Sequence, residues 1–589
     1  MSDQSETAGP RAHDAATTRL GFINRSIDRF ASWRWAAATL FALSFLILLM
    51  LMDVRLGAYD EGIILTGAQH VLGGAVPHRD FYANYGPAQF YIVAALFDLF
   101  GTTATVARCY DILIRAAIVV VAFAILAPRC RPIVALGAAV ICLGWMLGSR
   151  FYLYPVFPTL LLALVGTQLL SPGGRLGTLR LLGAGAATGL TALFRYDVGF
   201  FVMAAHLIFF VYLSVARDDF AGERTRTFVR NALLYGAGIA AAFLPPALIL
   251  VSSGALAGFI HDIVEYPGTY YVAFRALPFP GPSALAAATG PAEAAVYLPF
   301  GAVLLAAWVL IRGRRSRPEG EALPIADSSF LVAFGLVTLL LSLKGMVRVT
   351  TIHMMIAIVP ALLLIAFIID RQAARRSVAR ILAVALGLLA AGTAAFQTAA
   401  IFYLFLNQPA RSYVGSIAGI GDADSAGVAA ASPSLATAHL PAEAACAVGI
   451  VAAHTEPGER IFVAAGRHDK LVANRIELYF AAARSAGTHW YHFDPGLQTR
   501  ADVQSRIISD LRRNRVRWVI RDTSFDSLQE PNRSAVGSGV RLLDHYLAAN
   551  YRPVAGFGTL SVSLARNQPV PAGIQQQRCQ GAPAASGPP

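Results

Sequence analysis

Long apolar runs separated by short polar connections fill the first two thirds of the chain. A helix needs roughly 20 consecutive apolar residues to cross the hydrocarbon core of a bilayer. Counting such runs, and checking each connection for Arg and Lys, predicts eleven membrane-spanning helices. They lie near residues 34–55, 106–127, 132–148, 152–170, 179–195, 198–215, 232–252, 293–311, 328–345, 350–369 and 379–404. The pattern therefore predicts an α-helical polytopic membrane protein.

Arginines in the connections predict how the chain is oriented. The residues before the first apolar run are polar and include Arg11, Arg19, Arg25 and Arg29. The run that follows is too long for the apolar part of a signal peptide, and no small-residue cleavage site comes after it, so we expect an uncleaved first span. With the amino terminus in the cytoplasm, the arginine-rich connections all fall on the cytoplasmic side, as the positive-inside rule requires. The carboxy-terminal region is then outside the cytoplasm.

Two shorter segments after the first span are predicted not to cross the membrane. Residues 86–101 are apolar, but they include Pro87 and Asp98 and are shorter than a span of roughly 20 residues. If they crossed, every later basic connection would lie on the wrong side, so we predict a juxtamembrane or re-entrant helix. Residues 60–73 are predicted to form an interfacial helix. Its apolar side consists of Ile63, Ile64, Ala68, Val71 and Leu72.

After the last span, strand and helix patterns alternate, which is typical of a small α/β domain. The predicted strands are 460–464, 488–491, 516–520 and 554–564, and the predicted helices are 475–484, 501–513 and 539–550. The predicted domains are a cytoplasmic segment 1–33, a transmembrane domain 34–404 with an external loop at 56–105, a linker 405–447, an extracytoplasmic α/β domain 448–566 and a disordered tail 567–589.

Composition agrees with a membrane protein and excludes nucleic-acid binding. Of the 589 residues, 56% are hydrophobic and 14% are charged, and the mean hydropathy is +0.55. The net charge of +13 comes from short clusters between apolar runs rather than from a basic stripe. Cys446 and Cys579 both fall in the region predicted outside, where oxidation is permitted, and whether they pair stays open. His489 and His492 lack further spaced ligands, so we predict no metal site.

An acidic step follows the first apolar run directly. Asp60 and Glu61 stand at the mouth of a predicted span, where ionisable groups are expensive and a functional site is the default hypothesis. The alternative is that they end the helix and lie in water. A partly desolvated carboxylate beside a second acid has a raised pKa, which suits a base that accepts a proton.

The same region resembles a known family. It contains Tyr59-Asp60-Glu61-Gly62, Gly73-Gly74-Ala75-Val76-Pro77, Arg79-Asp80-Phe81, Gly86-Pro87 and Leu99-Phe100-Gly101. This pattern resembles the first external loop of polytopic C-type (GT-C) glycosyltransferases, and more closely the bacterial family 39 and 4-amino-4-deoxy-L-arabinose transferase-like group, which includes protein mannosyltransferases. The likeness is specific over residues 53–101 and general over the membrane region. Beyond residue 402 it rests on a similar domain plan.

The resemblance implies roles for the acidic residues of the loop. Asp60 occupies the position of the family's catalytic base, and Glu61 caps or orients the loop. Asp80, carried by the Arg79-Asp80-Phe81 match, is a second catalytic candidate that contacts the acceptor or supports the base, and Arg79 is a binding candidate beside it. The resemblance also implies a donor sugar on a polyprenyl phosphate and inversion at the sugar.

Isolated charges at the predicted external ends of later helices are candidates for holding the phosphate. They are Arg195, Asp197, Lys344, Arg348 and His353. Guanidinium and ammonium groups bind phosphate and stabilise charge on a leaving oxygen, and we expect these side chains to reach one cavity. The alternative is that long basic side chains only extend to the interface. The connection 253–293, which includes Tyr270, is predicted to be a mobile lid over the sugar or lipid, or alternatively an aromatic interface anchor.

The predicted function is an inverting, polyprenyl-phosphate-sugar-dependent glycosyltransferase of the inner membrane. We expect a lipid, glycan or protein acceptor on the outer face, contact with membrane lipid, no nucleic acid and no cofactor, and divalent-metal dependence is not expected. The alternatives are a transporter or flippase, because intramembrane charges also mark substrate paths, and a non-catalytic assembly subunit that keeps the fold.

Overall fold

The computed structural model describes residues 33–171, 176–216, 221–287, 290–315, 323–373, 377–420 and 438–574. The predicted amino-terminal segment up to residue 32, linker residues 421–437 and tail residues 575–589 lie outside the described residues. So does Cys579, whereas Cys446 is disulfide-bonded. Cys109, Cys130 and Cys142 are free.

Each apolar run that predicted a span forms a helix. These helices are α1 (Trp33–Met50), α4 (Ala104–Leu126), α5 (Pro132–Gly148), α6 (Val156–Leu170), α7 (Thr178–Phe194), α8 (Tyr196–Val215), α9 (Ala221–Ser252), α10 (Leu298–Arg315), α11 (Ile325–Gly345), α12 (Thr351–Arg371) and α13 (Val378–Asn407). Within the described ranges, eight helices are long and apolar enough to cross a membrane, and α5, α6 and α7 are shorter. The predicted polytopic helical architecture is confirmed.

Two further helices lie in the first loop, residues 51–103, between α1 and α4. They are α2 (Asp60–Leu72) and α3 (Ala88–Phe100). The expectation of an interfacial α2 with one apolar side is wrong, because every residue from Glu61 to Ala68 is buried. The C-terminal domain covers its other side: the Tyr491 hydroxyl donates to the Ile63 carbonyl at 2.9 Å, and the Thr66 hydroxyl donates to the Ile476 carbonyl at 3.3 Å.

The C-terminal domain contains a five-stranded sheet with helices, so the predicted small α/β domain is confirmed, with one strand more than the four predicted. Its helices are α14 (Ala442–Ala453), α15 (Glu477–Ala482), α16 (Ala501–Arg513) and α17 (Leu542–Asn550), and its strands are β1 (Arg460–Ala465), β2 (Ser485–Ala486), β3 (Trp518–Asp522), β4 (Tyr551–Phe557) and β5 (Leu560–Ala565). The strand order is β2-β1-β3-β5-β4, with β1 parallel to β2 and β3, and with β5 antiparallel to both neighbours.

Two strand predictions in this domain are wrong in detail. Residues 488–491 are not a strand, and the predicted strand 554–564 lies within the hairpin β4-β5, which turns at Gly558 with φ of +54°. The apolar core continues without a break from the transmembrane helices into this domain. The domain is therefore packed onto the helices as one body, and its loops lie against their ends.

The long connection, residues 253–293, has one face toward solvent or lipid and one toward the domain interface. Between Leu256 and Arg275 it forms short helical turns that include two π-helical stretches. Leu256, Ile260 and Val264 recur at every fourth position and are exposed. Tyr266 and Arg275 are buried. This segment therefore covers the place where the first loop meets the C-terminal domain.

Candidate active site

A cavity of about 960 Å³ lies where the ends of the helices meet the C-terminal domain. Six of the predicted site residues line it: Asp60, Arg195, Asp197, Lys344, Arg348 and His353. The C-terminal domain contributes further lining residues, among them Asp494, Phe525 and Glu530. Side chains separated by hundreds of residues in sequence are thus brought together around one cavity.

Asp60 is the first residue of α2, and its carboxylate faces this cavity. Its Oδ1 accepts a hydrogen bond from the Tyr85 hydroxyl at 2.5 Å. Burial raises the pKa of the Asp60 carboxyl above its ordinary value, and the Tyr85 hydrogen bond and the charges of Arg275 and Arg195 reduce this shift without reversing it. Asp60 is therefore a stronger base than an exposed aspartate and is held in one orientation.

Arg195 and Lys344 share one carboxylate, and we call these two residues with Asp197 the first cation group. Arg195 binds Asp197 with both arms of its guanidinium, at 3.1 and 2.8 Å, and Lys344 Nζ lies 3.9 Å from Asp197 Oδ2. Arg195 also donates to the Tyr154 hydroxyl at 3.0 Å. Two basic side chains therefore share one carboxylate at this end of the cavity.

Arg275 and Arg348 are each paired with a carboxylate of the C-terminal domain. Arg348 makes two hydrogen bonds to Glu530, at 2.8 and 2.5 Å, and Arg275 donates to Asp494 at 2.7 Å. We call these four residues the second cation group. Each arginine is neutralised by its own carboxylate. An incoming anion must therefore displace a carboxylate before it can bind either arginine.

His353 lines the same cavity as the two cation groups and contacts the aromatic ring of Tyr154. Its Nδ1 is 2.6 Å from the Thr350 hydroxyl, and its ring packs edge-on against Tyr154 with 6.1 Å between centroids. This places the imidazole at the cavity surface, at the start of α12.

Four predicted site residues do not line the cavity. Glu61 is buried and paired with Arg108 of α4, so it fastens the first loop rather than facing the cavity. Asp80 pairs with Arg79 at the surface and accepts from the Val76 amide at 2.7 Å, which closes a turn. Tyr270 accepts from Arg500 at 3.1 Å and stacks on Tyr266, at the contact with the C-terminal domain.

The structure also adds residues that were not predicted as site residues. Tyr85 directly precedes the Gly86-Pro87 step of the loop pattern, and Arg275 lies in the long connection, so both had a weak local signal. Asp494 and Glu530 had none, since each is an ordinary acid in a soluble domain until the fold places it against an arginine. In the part of the chain that the structure describes, no three His, Cys, Asp or Glu residues form a group able to hold a metal ion.

Comparisons with known proteins agree with this architecture. No protein-family model and no curated protein matches the chain. The crystal structure of ArnT from Cupriavidus metallidurans in the apo state is similar, with a TM-score of 0.52 and 12% identity over 90% of this chain and 98% of that one. The crystal structure of that ArnT bound to undecaprenyl phosphate gives a TM-score of 0.47 and 13% identity over the same shares.

The similarity to apo ArnT shows the fold. The chain has the ArnT-like GT-C fold, a helical bundle with a small C-terminal sheet region. Together with the apolar helices, this fold makes the chain a multi-pass membrane protein.

Proposed function

We propose that this protein is an inverting glycosyltransferase that moves a sugar from a polyprenyl phosphate to a lipid, glycan or protein acceptor at the outer face of a bacterial inner membrane. One observation carries the proposal: Asp60, a carboxylate with a raised pKa, shares a cavity with the basic side chains of the first cation group. A base and a phosphate site in one cavity are what this reaction needs. The GT-C fold supports the same reaction class.

In the proposed reaction, Asp60 accepts the proton of the acceptor hydroxyl. The hydroxyl oxygen then attacks the anomeric carbon from the face opposite the phosphate, and the bond from that carbon to the phosphate oxygen breaks. The electron pair leaves with the polyprenyl phosphate, so the configuration at the sugar inverts. Tyr85, which donates to Asp60 at 2.5 Å, keeps the base aimed at the acceptor.

The first cation group is the better of the two sites for the donor phosphate. Lys344 has Asp197 at 3.9 Å, which leaves its ammonium donors free to turn toward a ligand, whereas both arms of Arg348 are bonded to Glu530. An anion therefore binds Lys344 without breaking a short ion pair, and Arg195, which stays paired with Asp197, is a fixed charge beside it. In this proposal side-chain cations stabilise the leaving phosphate, and the lipid-linked sugar and the acceptor are the only reactants.

A transfer assay tests the proposed function. Purified protein in lipid vesicles is incubated with radiolabelled polyprenyl-phosphate sugars and with envelope lipid, glycan and protein acceptors. We expect labelled acceptor and an equal amount of free polyprenyl phosphate. Folded protein that moves the labelled lipid across the bilayer without cleaving it would instead support a flippase. Absence of both activities with every donor would support a non-catalytic subunit.

Replacing Lys344 by Met is expected to weaken donor use about 10- to 100-fold, mainly as a raised KM, because a charge-assisted hydrogen bond to phosphate is lost. The measurement is the dependence of transfer on donor concentration. The chain contains only two lysines, Lys344 and Lys470, and Lys470 lies in the C-terminal domain and does not line the cavity. Lys470→Met is therefore the matched control, and equal effects of the two changes would contradict a phosphate site at Lys344.

The same two lysines allow a test that does not need turnover. An amine-reactive reagent, followed by mass spectrometry of the peptides, reports how accessible each lysine is. Polyprenyl phosphate is expected to reduce labelling of Lys344 while Lys470 is labelled as before. Unchanged labelling of Lys344 at saturating lipid would remove it from the phosphate site.

Replacing Glu530 by Gln is expected to lower the donor KM about three- to tenfold, because it frees Arg348 for a charge-assisted bond to phosphate. Adding Arg348→Ala to this variant is expected to reverse the gain. Asp502→Asn, which removes an exposed carboxylate of the same domain, is the control for the change in net charge. A raised KM in the Glu530 variant would show that its ion pair builds the site rather than competes with the donor.

A further inference from the structure

We infer that Asp494 of the C-terminal domain is a positioning residue for Asp60, since it fixes Tyr59 and Arg275 beside the reacting carboxylate. The α/β domain then contributes to the active site by supplying this positioning residue. This inference rests on the proposed function, in which Asp60 is the base.

Asp494 is the point where three distant parts of the chain meet. It is 1% exposed. Its Oδ1 lies 2.9 Å from the Tyr59 hydroxyl of the first loop and accepts from Arg275 of the long connection at 2.7 Å, and its Oδ2 accepts from the Tyr82 hydroxyl at 3.0 Å. Burial disfavours the charged form, but Arg275 and the hydrogen bonds outweigh it and hold the pKa of Asp494 below its usual value.

Tyr59 connects this carboxylate to the base. It directly precedes Asp60 and stands at the N-cap position of α2, where it makes no side-chain capping bond. Arg275 donates to the Tyr59 hydroxyl at 2.7 Å, and its guanidinium lies 5.3 Å from the centre of the Tyr59 ring. Asp494, Arg275 and Tyr59 thus form a triangle of polar contacts. Because Tyr59 is bonded to this triangle, the first turn of α2 cannot rotate without breaking buried hydrogen bonds.

Asp494 also sets the charge that Asp60 experiences. The groups that act on Asp60 are the Tyr85 hydroxyl, Arg275, Arg195 and Asp494, and Tyr59 and Tyr154 act on it as well. Arg275 lowers the pKa of Asp60 and Asp494 raises it, so Asp494 offsets part of the effect of Arg275. Removing the charge of Asp494 leaves Arg275 uncompensated, which lowers the pKa of Asp60.

Asp494→Asn separates positioning from a merely structural role. We expect kcat to fall about 10- to 100-fold with the donor KM little changed, because the base is misplaced while the first cation group is intact. The acidic limb of the pH–rate profile is expected to move to lower pH, since a base with a lower pKa stays deprotonated at lower pH. Tyr82→Phe, which removes one bond to the other oxygen of Asp494, is expected to lower stability without moving the limb. Asp494→Glu keeps the negative charge and is expected to return the acidic limb of the pH–rate profile part of the way to its wild-type position.

The ionisation of Asp60 is also measured directly, so the test does not depend on finding the donor. The infrared carboxyl band lost in Asp60→Asn identifies the Asp60 band, and its pH titration is compared in protein with and without Asp494→Asn. A lower titration midpoint in the variant supports the inference, and an unchanged midpoint with wild-type kcat overturns it. A wild type that transfers nothing with any donor overturns the proposed function, while the infrared titration still decides whether Asp494 controls Asp60.

Discussion

Asp60→Asn is expected to reduce sugar transfer by about 100- to 10,000-fold, the contribution typical of a general base, with the donor KM unchanged or lower. The amide has the shape of the carboxylate and keeps an oxygen that accepts from Tyr85, but it cannot take a proton from the acceptor. Donor binding survives because Lys344 and Arg195 are intact. The measurement is labelled acceptor formed per minute at saturating donor, compared with wild type.

The same variant is expected to fold as well as the wild type. A carboxyl whose pKa is raised on folding favours the folded state when it is protonated, and this contribution is lost as the pH rises through the folded pKa. At neutral pH the ionised Asp60 therefore costs some stability, and Asn removes that cost. An unchanged or higher melting temperature beside lost transfer confirms the catalytic reading. Transfer at the wild-type rate would remove Asp60 from its role.

The pH dependence of the wild type follows from the same shift. Transfer needs the ionised base, so activity is expected to decline as the pH falls through a pKa above the ordinary aspartate value of about 4. The acidic limb of kcat/KM, which reports the free enzyme, is the measurement. An acidic limb at the ordinary value would show that Asp60 is not desolvated in the working protein.

Apolar length and arginine position were enough to predict the helices, because a bilayer imposes one simple rule on every span. Burial of α2 was not predictable in the same way. Its apolar side was visible in Ile63 and Ile64, but the residues that cover its other side, such as Ile476 and Tyr491, lie about 400 positions away. A periodic pattern records that a face is apolar and does not record which distant segment covers it.

The same limit applies to the candidate site: some of its residues were predictable from the sequence, and their partners were not. Asp60, Lys344 and Arg348 were predictable, since a charge beside an apolar run stands out whatever its partner is. Their partners were not, because Asp494 and Glu530 belong to a domain in which acids are common. The sequence therefore predicted several of the charges that line one cavity. The fold was needed to show that two bases share one carboxylate in the first cation group, whereas each arginine of the second has a carboxylate of its own.

Glu61→Gln is expected to cost about 3–5 kcal/mol of stability, the range for breaking a buried ion pair and leaving one charge uncompensated. The Glu61 and Arg108 side chains are 2% and 1% exposed, and Arg108 donates to both carboxylate oxygens, at 2.5 and 2.8 Å. A neutral amide leaves the guanidinium in the interior without its counter-charge. The measurement is the free energy of unfolding in detergent, at matched protein concentration.

Asp80→Asn is the matched control for this loss. Asp80 also pairs with an arginine in the first loop, but the Arg79 and Asp80 side chains are 42% and 37% exposed. Exposed pairs contribute at most about 1 kcal/mol, so a much smaller loss is expected there. Equal losses at the two positions would contradict a fastening role for Glu61.

A double change decides whether the uncompensated charge causes the loss. Arg108→Met in the Glu61→Gln background removes that charge and is expected to recover part of the stability. Recovery stays incomplete, because Arg108 also donates to the carbonyls of Asp53 and Arg55, which hold the start of the first loop against α4. The two neighbouring acids are therefore expected to act oppositely. Asp60 is expected to support transfer at some cost in stability, and Glu61 is expected to fix the helix that carries Asp60 without taking part in the chemistry. Transfer in the Glu61 variant is therefore expected to fall only in proportion to the folded fraction.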